Sequence, residues 1–261
     1  MIVVTGCEGF IGKNLMNCFD NVMGFDITDF NTVFDINPKL IDRVYHMGAL
    51  SSTTETDFNK IHYYNVDYSI RLFEWCIEHG IPVSYASSAS VYGNTNNHTI
   101  NPLNYYALSK ATVDMWVKIN RDRFSNIRGY RFYNVYGQGE EHKGNQASPI
   151  QQFTKQALET SKIKIFDKSG NGTRDFIWVG DVCRIMIDDD RDSGIYDVGT
   201  GKPISFSDVA KLVADKYGAS IEVIPFPDHL KNKYQFYTCA KYEHVDETCI
   251  SVEDYLLRLN D

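Results

Sequence analysis

A tyrosine and a lysine four residues apart, Tyr106 and Lys110, stand in the stretch Asn104-Tyr105-Tyr106-Ala107-Leu108-Ser109-Lys110. The apolar spacing that continues to Trp116 predicts a helix, and on a helix these two side chains share a face. A phenol so placed can take a proton from an alcohol while a hydride leaves the same carbon. An ammonium beside it favours phenolate over phenol, so the Tyr106 pKa is expected to be lowered. Tyr-x-x-x-Lys is a short pattern. It gains meaning only if the rest of the chain supplies a hydride acceptor and a place for an alcohol.

The place for an acceptor lies at the start of the chain. Met1-Ile2-Val3-Val4-Thr5 reads as a buried β-branched strand, running into Gly6-Cys7-Glu8-Gly9-Phe10-Ile11-Gly12 and an apolar-periodic helix to Phe19. In that context a glycine turn lets backbone approach a pyrophosphate, and the helix start favours its negative charge. Gly6, Gly9, Phe10, Ile11 and Gly12 are therefore expected to bind a dinucleotide. A second strand, Asn21 to Phe25, ends at Asp26, whose carboxylate can accept hydrogen bonds from an adenosine ribose diol. A third strand is expected over Thr32–Ile36, which adds Asp35 and Ile36 to the cofactor set, and a fourth over Arg43–Met47. No Lys or Arg occurs between Lys13 and Lys39. A ribose 2′-phosphate would meet little positive charge there, so NAD is expected, with NADP the alternative. The connections between Asp26 and Arg43 are so short that a crossover helix must be reduced to a turn or absent.

The elements that would present an alcohol follow. Gly48-Ala49 leads into a hydroxyl-rich run with Ser51 and Ser52, a solvated loop or a sugar-binding edge. Apolar periodicity predicts a helix from Tyr64 to His79, closed by Gly80 and Pro82. The strand Val83–Ala86 ends in Ser87-Ser88, and a serine at a strand's carboxyl end faces the crevice where open α/β sheets bind ligands. The Tyr106/Lys110 helix runs to about Arg121, and a sixth strand, Asn126 to Phe132, leads into Tyr133-Asn134-Val135-Tyr136-Gly137. His46, at a strand end, reads as a packed side chain. Beyond Gly139 the pattern changes to a polar loop holding His142-Lys143-Gly144. Helices over Pro149–Thr160, Gly180–Asp188, Ser207–Tyr217 and Val252–Leu259 follow, interleaved with short strands, and Pro225 to Tyr237 reads as irregular.

Composition sets outer bounds. The chain has 261 residues, 43% hydrophobic and 23% charged, enough for one large core or two modest ones. A net charge of −8 without a basic block argues against nucleic acid as a partner. Six scattered cysteines without a C-x-x-C pair read as reduced thiols of a cytoplasmic protein, and no metal site is expected. No signal peptide is expected, and no apolar run approaches membrane-spanning length.

Four motifs now stand in order: T-G-x-x-G-F-I-G, A-S-S-A-S-V-Y-G, Y-x-x-x-K and R-D-F-I-W-V-G-D-V. Together they resemble the extended short-chain dehydrogenase/reductases, the nucleotide-sugar epimerases and dehydratases. Five stretches are similar to the branch that epimerises ADP-heptose: G-A-L-S-S-T-T-E, N-P-L-N-Y-Y, F-Y-N-V-Y-G with H-K-G-N-Q-A-S, R-D-F-I-W-V-G-D-V, and I-P-F-P-D-H-L-K-N-K-Y-Q. The resemblance implies an α/β fold, a Rossmann-type doubly wound parallel sheet with a smaller C-terminal substrate domain. Residues 1–133 with 177–204 would form the dinucleotide half, and 134–176 with 205–261 the substrate half. It implies an isomerase acting on a nucleotide-diphosphate sugar through transient hydride transfer to NAD(P), and a homo-oligomer. Ser88, Tyr106 and Lys110 would be the redox triad: Tyr106 the acid/base, Ser88 orienting the hydroxyl, Lys110 holding the nicotinamide ribose. Lys143 would be a second base across the sugar, though on residue type alone it reads as a solvated loop lysine. Ser51, Ser52, Asn134, Asn145, Phe166, Arg174 and Tyr234 would bind the nucleotide-sugar. The chain departs from the pattern in its short Asp26–Arg43 segment and C-terminus, and in Asn145, where that branch usually has Ser. A reductase and a 4,6-dehydratase are the rival outcomes; the latter carries an Asp-Glu pair where this chain has Ala89-Ser90.

Overall fold

The structure, a computed structural model, describes residues 1–95, 98–167, 172–188, 190–227 and 235–259. The first half contains β1 (Ile2–Thr5), α1 (Phe10–Met16), β2 (Val22–Phe25), β3 (Arg43–His46), α2 (Phe58–Ile61), α3 (Tyr68–His79), β4 (Val83–Ser88), α4 (Tyr105–Asn120) and β5 (Ile127–Phe132). The second contains β6 (Asn134–Tyr136), α5 (Pro149–Thr160), β7 (Lys162–Phe166), β8 (Thr173–Arg174), β9 (Phe176–Trp178), α6 (Val179–Ile187), β10 (Gly194–Val198), β11 (Ile204–Ser205), α7 (Phe206–Tyr217), β12 (Ser220–Ile224) and α8 (Val252–Arg258).

Six strands form one sheet in the order β10-β5-β4-β3-β1-β2. β1 lies between β2 and β3, with Ile2 beside Val22 and Arg43, and β4 runs parallel to both β3 and β5. Val3, Val4, Val44 and Val83 are fully buried, as expected of strands covered on both faces. This is a Rossmann-type α/β fold.

The chain divides into two compact units, one of Met1–Gly93, Ile100–Phe132 and Cys183–Tyr196, the other of Asn94–Thr99, Tyr133–Val182 and Asp197–Asp261. Each has its own apolar core. The first centres on Val44, Leu72, Phe73, Val83 and Ile127. The second centres on Tyr136, Ile163, Phe176, Val209 and Val213. Its short strands pair two by two: β6 with β9, β7 with β12 and β8 with β11.

Thr32–Ile36 is not a strand. Phe30–Asp35 is a 3₁₀ turn, followed by a second at Pro38–Leu40. The hydroxyl of Thr32 donates to the Asp29 carbonyl at 2.7 Å, and the Thr32 amide donates to the same carbonyl, so local bonding closes a turn. Phe30 and Phe34 then pack edge-on against Tyr68 and Trp75 of α3, and that burial overrides the β propensity of the run. The crossover helix is thus reduced to turns, and β2 becomes a sheet edge. The helix expected from Tyr64 starts earlier, with α2 passing through a π-helical run, His62–Asp67, into α3. Among the described residues no helix is long and apolar enough to cross a membrane.

Candidate active site

The glycine turn is drawn tight. Gly6 has φ +72°, a left-handed conformation that favours glycine, and its N–H donates to the Phe25 carbonyl of β2 at 2.7 Å. A Cβ on Gly12 would overlap the Gly6 carbonyl, and one on Gly6 would meet the backbone of Gly48. Asp26 seals the mouth: its carboxylate accepts the Glu8 N–H at 2.9 Å and the Ile27 N–H at 2.7 Å, while its own N–H donates to Asp29 Oδ1. Above the turn lies a cavity of about 210 Å³, lined by Gly6, Gly9 and Asp26 and by the carboxyl end of β3, Met47-Gly48-Ala49-Leu50. A backbone cradle that admits no side chain, with a carboxylate at its rim, fits the pyrophosphate and adenosine ribose of a dinucleotide. Asp35 is exposed at the end of its 3₁₀ turn and Ile36 packs on the core; neither is among the residues lining this cavity.

The same unit holds the tyrosine and lysine. Asn104 caps α4 by accepting the Ala107 N–H at 2.9 Å, which sets Tyr106 in the first turn and Lys110 in the second. Ser88 ends β4, and its hydroxyl is hydrogen-bonded to the Tyr106 phenol. Lys110 is 5% exposed and donates to the Ala86 carbonyl at 2.7 Å. Ser88, Tyr106 and Lys110 therefore converge at the carboxyl end of β4.

Their protonation differs from the expected pattern. Tyr106 is raised above its ordinary value of 10, because burial disfavours phenolate more than the Ser88 hydrogen bond favours it. Burial also pulls Lys110 from 10.5 to about 8, while the carboxylate of Asp114 pushes it back up. The site thus holds a neutral phenol over a lysine that titrates close to neutrality. His46 is packed, as expected. Its ring bonds Thr5 Oγ1 at 2.6 Å and Ser69 Oγ at 2.8 Å, and burial holds it neutral, at about 3.

The remaining expected site residues, apart from two serines, lie in the second unit. Ser51 and Ser52 follow Leu50, the last of the cavity residues on the β3 end; Ser52 shares a hydrogen bond with Thr54 at 3.1 Å. Asn134 opens β6, and its N–H donates to the Asp175 carbonyl at 3.0 Å. Arg174 is buried, with its guanidinium 5.4 Å from the Phe206 ring centroid. The Asp175 carboxylate accepts from the N–H groups of Thr200, Gly201 and Ala240 and from the Thr200 hydroxyl. Phe166 packs edge-on against Phe226 at 5.2 Å. Lys143 sits in a 3₁₀ segment, Glu141–Gln146, with Nζ 3.6 Å from Glu140 Oε2. Asn145 shares that segment, but its side chain lies outside the described residues, as does the whole of Tyr234.

Two buried residues escaped the sequence reading. Asn65, in the π-helical run, exchanges hydrogen bonds with the Leu50 backbone at 2.7 and 3.0 Å and donates to Ser109 at 3.0 Å; Ser109 in turn donates to the Tyr106 carbonyl at 2.7 Å. It ties the cavity wall to the start of α4. Its signal was a polar residue inside an apolar helical pattern. Asp114 continues the four-residue stripe of Tyr106 and Lys110 one turn further, which the spacing alone displayed.

Comparison with known proteins now adds to this geometry. The sequence model described as the NAD dependent epimerase/dehydratase family matches residues 17–199. The chain is similar to an ADP-L-glycero-D-manno-heptose-6-epimerase of Alkalilimnicola ehrlichii, 38% identical over 92% of this chain and 88% of the relative. Its fold is similar to the crystal structure of the Helicobacter pylori ADP-L-glycero-D-manno-heptose-6-epimerase, with a TM-score of 0.86 at 24% identity, covering 98% of this chain and 93% of that one. It is also similar to a UDP-N-acetylglucosamine 4-epimerase of Methanobrevibacter ruminantium, with a TM-score of 0.82 at 21% identity, covering 98% and 95%. With its glycine cradle, its strand-end serine and its tyrosine–lysine helix, the chain belongs to the NAD-dependent epimerase/dehydratase family.

Proposed function

We propose that this protein is a nucleotide-sugar epimerase that transiently oxidises one sugar carbon, with an ADP-glycero-manno-heptose epimerised at C6 as its substrate. The observation that carries the reading is the convergence of Ser88, Tyr106 and Lys110 at the carboxyl end of β4, in the unit that holds the glycine cradle. The 38% identity to a heptose 6-epimerase supports the choice of sugar. NAD bound along the cradle supplies a reversible hydride acceptor. The carboxylates of Asp26 and Asp29 at its rim favour NAD over NADP, because a 2′-phosphate there meets negative charge.

Tyr106 holds a proton at its phenol oxygen at rest, so it must first give that proton up to act as a base. Ser88 steadies the oxygen that remains and orients the sugar hydroxyl. Lys110, charged below about pH 8, holds the nicotinamide ribose and supplies the positive charge that phenolate needs. An alcohol re-formed with hydride on the opposite face points away from Tyr106, and Lys143 serves as the proton donor there. Arg174, Asn134, Phe166, Asn145 and Tyr234 grip the nucleotide-sugar, with Ser51 and Ser52 along the crevice. The first unit is then the dinucleotide half and the second the substrate half. The protein works in the cytoplasm as a homo-oligomer: Tyr105, Leu108, Met115 and Ile119 form an exposed apolar stripe along α4 suited to a second copy.

A 4,6-dehydratase reading has less support, since Ala89 and Ser90 offer no carboxylic acid for elimination. Incubation with ADP-D-glycero-D-manno-heptose, followed by NMR at C6, tests the proposal. Interconversion of the two epimers without net NADH is expected. Stoichiometric NADH turnover would instead make the protein a reductase, and no change in the sugar would remove the heptose assignment.

A further inference from the structure

Asp114 is a carboxylate 3% exposed inside α4, and its surroundings are polar by construction. Oδ1 accepts the Tyr85 hydroxyl at 2.9 Å; Oδ2 accepts the Ser87 hydroxyl at 2.9 Å and Arg131 Nε at 2.8 Å. Arg131 also reaches Tyr92 at 2.8 Å. Burying a carboxylate is expensive unless it is paired and bonded. A leucine in the same place would cover the sheet without these partners. The network therefore has a reason beyond packing, and its position suggests which. One turn before Asp114 on the same helix is Lys110, and Ser87 is the neighbour of Ser88.

We infer that Asp114 is a positioning residue for Lys110, clamping α4 to the strand end that carries Ser88 so that the lysine meets the nicotinamide ribose as a charged ammonium. The inference rests on the proposed role of Lys110. Among the groups that titrate or carry charge around Lys110, His46 on β3 is held neutral by burial and by the lysine itself, at about 3. Tyr85 on β4 and Tyr106 on α4 are held in their neutral forms by burial. Arg131 on β5 is permanently cationic and is bonded to Oδ2 of the Asp114 carboxylate. Asp114 alone among them supplies negative charge, and it opposes the burial that would strip Lys110 of its proton.

Calorimetric NAD affinity of the full chain between pH 6.5 and 9.5 reads this without turnover. In the parent, affinity declines as pH rises through about 8, where Lys110 discharges. In Asp114→Asn the decline is expected to begin about one pH unit lower, giving roughly threefold weaker binding at pH 7.5 but parental binding at pH 6.5. A merely structural role would weaken binding equally at every pH and leave the decline in place, which overturns the inference. Arg131→Gln should move the decline the other way, because the carboxylate no longer shares its charge with a guanidinium. An unmoved decline in that variant also overturns the inference, whether or not Asp114→Asn folds. Lys110→Met with parental affinity and pH dependence would instead remove the role from Lys110, and with it the reading on which Asp114 depends.

Discussion

Each unit contains a lysine close to a buried carboxylate, and the two arrangements are built on opposite plans. Lys110 lies in the second turn of a regular helix, 5% exposed, with its ammonium against a strand carbonyl. Its acid partner, Asp114, is bonded to side chains from β4 and β5, so it joins elements far apart in sequence. Lys143 lies in a 3₁₀ loop with its side chain 26% exposed. Its partner Glu140 is fully buried, yet it bonds the Gly137 N–H, the Ser148 N–H and the Ser148 hydroxyl, all within eight residues. The helix carboxylate organises tertiary structure, whereas the loop carboxylate closes its own loop and leaves the lysine at its rim. A lysine fixed by a helix and a sheet loses its water and shifts its pKa. One tethered to a closed loop keeps reach instead, which suits a proton donor on a sugar's second face.

The sharpest way to break that contrast is at the group above Lys110. Tyr106→Phe removes the oxygen proposed as acid and base with little change in volume, so turnover should fall about 10²–10⁴-fold while calorimetry shows NAD binding retained. Activity within a few-fold of the parent would move the acid/base role to another group. Lys143→Ala tests the other side. Interconversion of the epimers should be lost, while an aldehyde analogue at the reacting carbon is still reduced to one stereoisomer through Tyr106. Epimerisation at the parental rate would leave Lys143 a solvated loop residue, with His142 the next to test.

Stability separates the two carboxylate–lysine pairs by smaller amounts. Glu140→Gln turns an acceptor towards the Ser148 N–H into a donor, at a cost of about 2–3 kcal/mol. Thermal melting should fall by roughly 5 °C with NAD affinity unchanged. Lys110→Met should do the reverse. Because the folded pKa of Lys110 lies below its ordinary value, the fold disfavours the protonated form; the cost is fully present below about pH 8 and vanishes as pH approaches 10.5. Removing it relieves about 3 kcal/mol, partly offset by the orphaned Ala86 carbonyl, at about 1 kcal/mol. The variant should melt a few degrees higher at pH 7, with the gain gone near pH 10.5. A melting point below the parent's at pH 7 would mean that the lysine stabilises the fold.

How far these features were legible in the sequence depends on how local they are. The glycine turn and the capped α4 follow from residues within one turn of each other, and both stand where the spacing placed them. Thr32–Ile36 failed because its β-branched and aromatic composition fits a strand, while its fate was decided by Tyr68 and Trp75, more than thirty positions on. Asn65 and Asp114 stood in visible positions, but what they bind was hidden for the same reason, their partners lying up to 44 residues away. The protonation of Tyr106 was misjudged because spacing shows that a lysine shares its helix face, whereas burial, set by β4 and the whole unit, decides the direction.

The turns that replace a strand after Asp26 leave β2 at the margin of the sheet, and a sheet margin invites pairing with other chains. This margin carries its own protection against aggregation. The strand is four residues long, with Gly24 inside it, and exposed acids stand at Asp20 before it and Asp29 after it. Two copies brought edge to edge would set these carboxylates against one another over a ladder too short to compensate. Asp29, bonded to Asp26 at the carboxyl end of the strand, therefore guards solubility as well as the proposed preference for NAD, and a variant neutralised there to admit NADP would lose part of that protection.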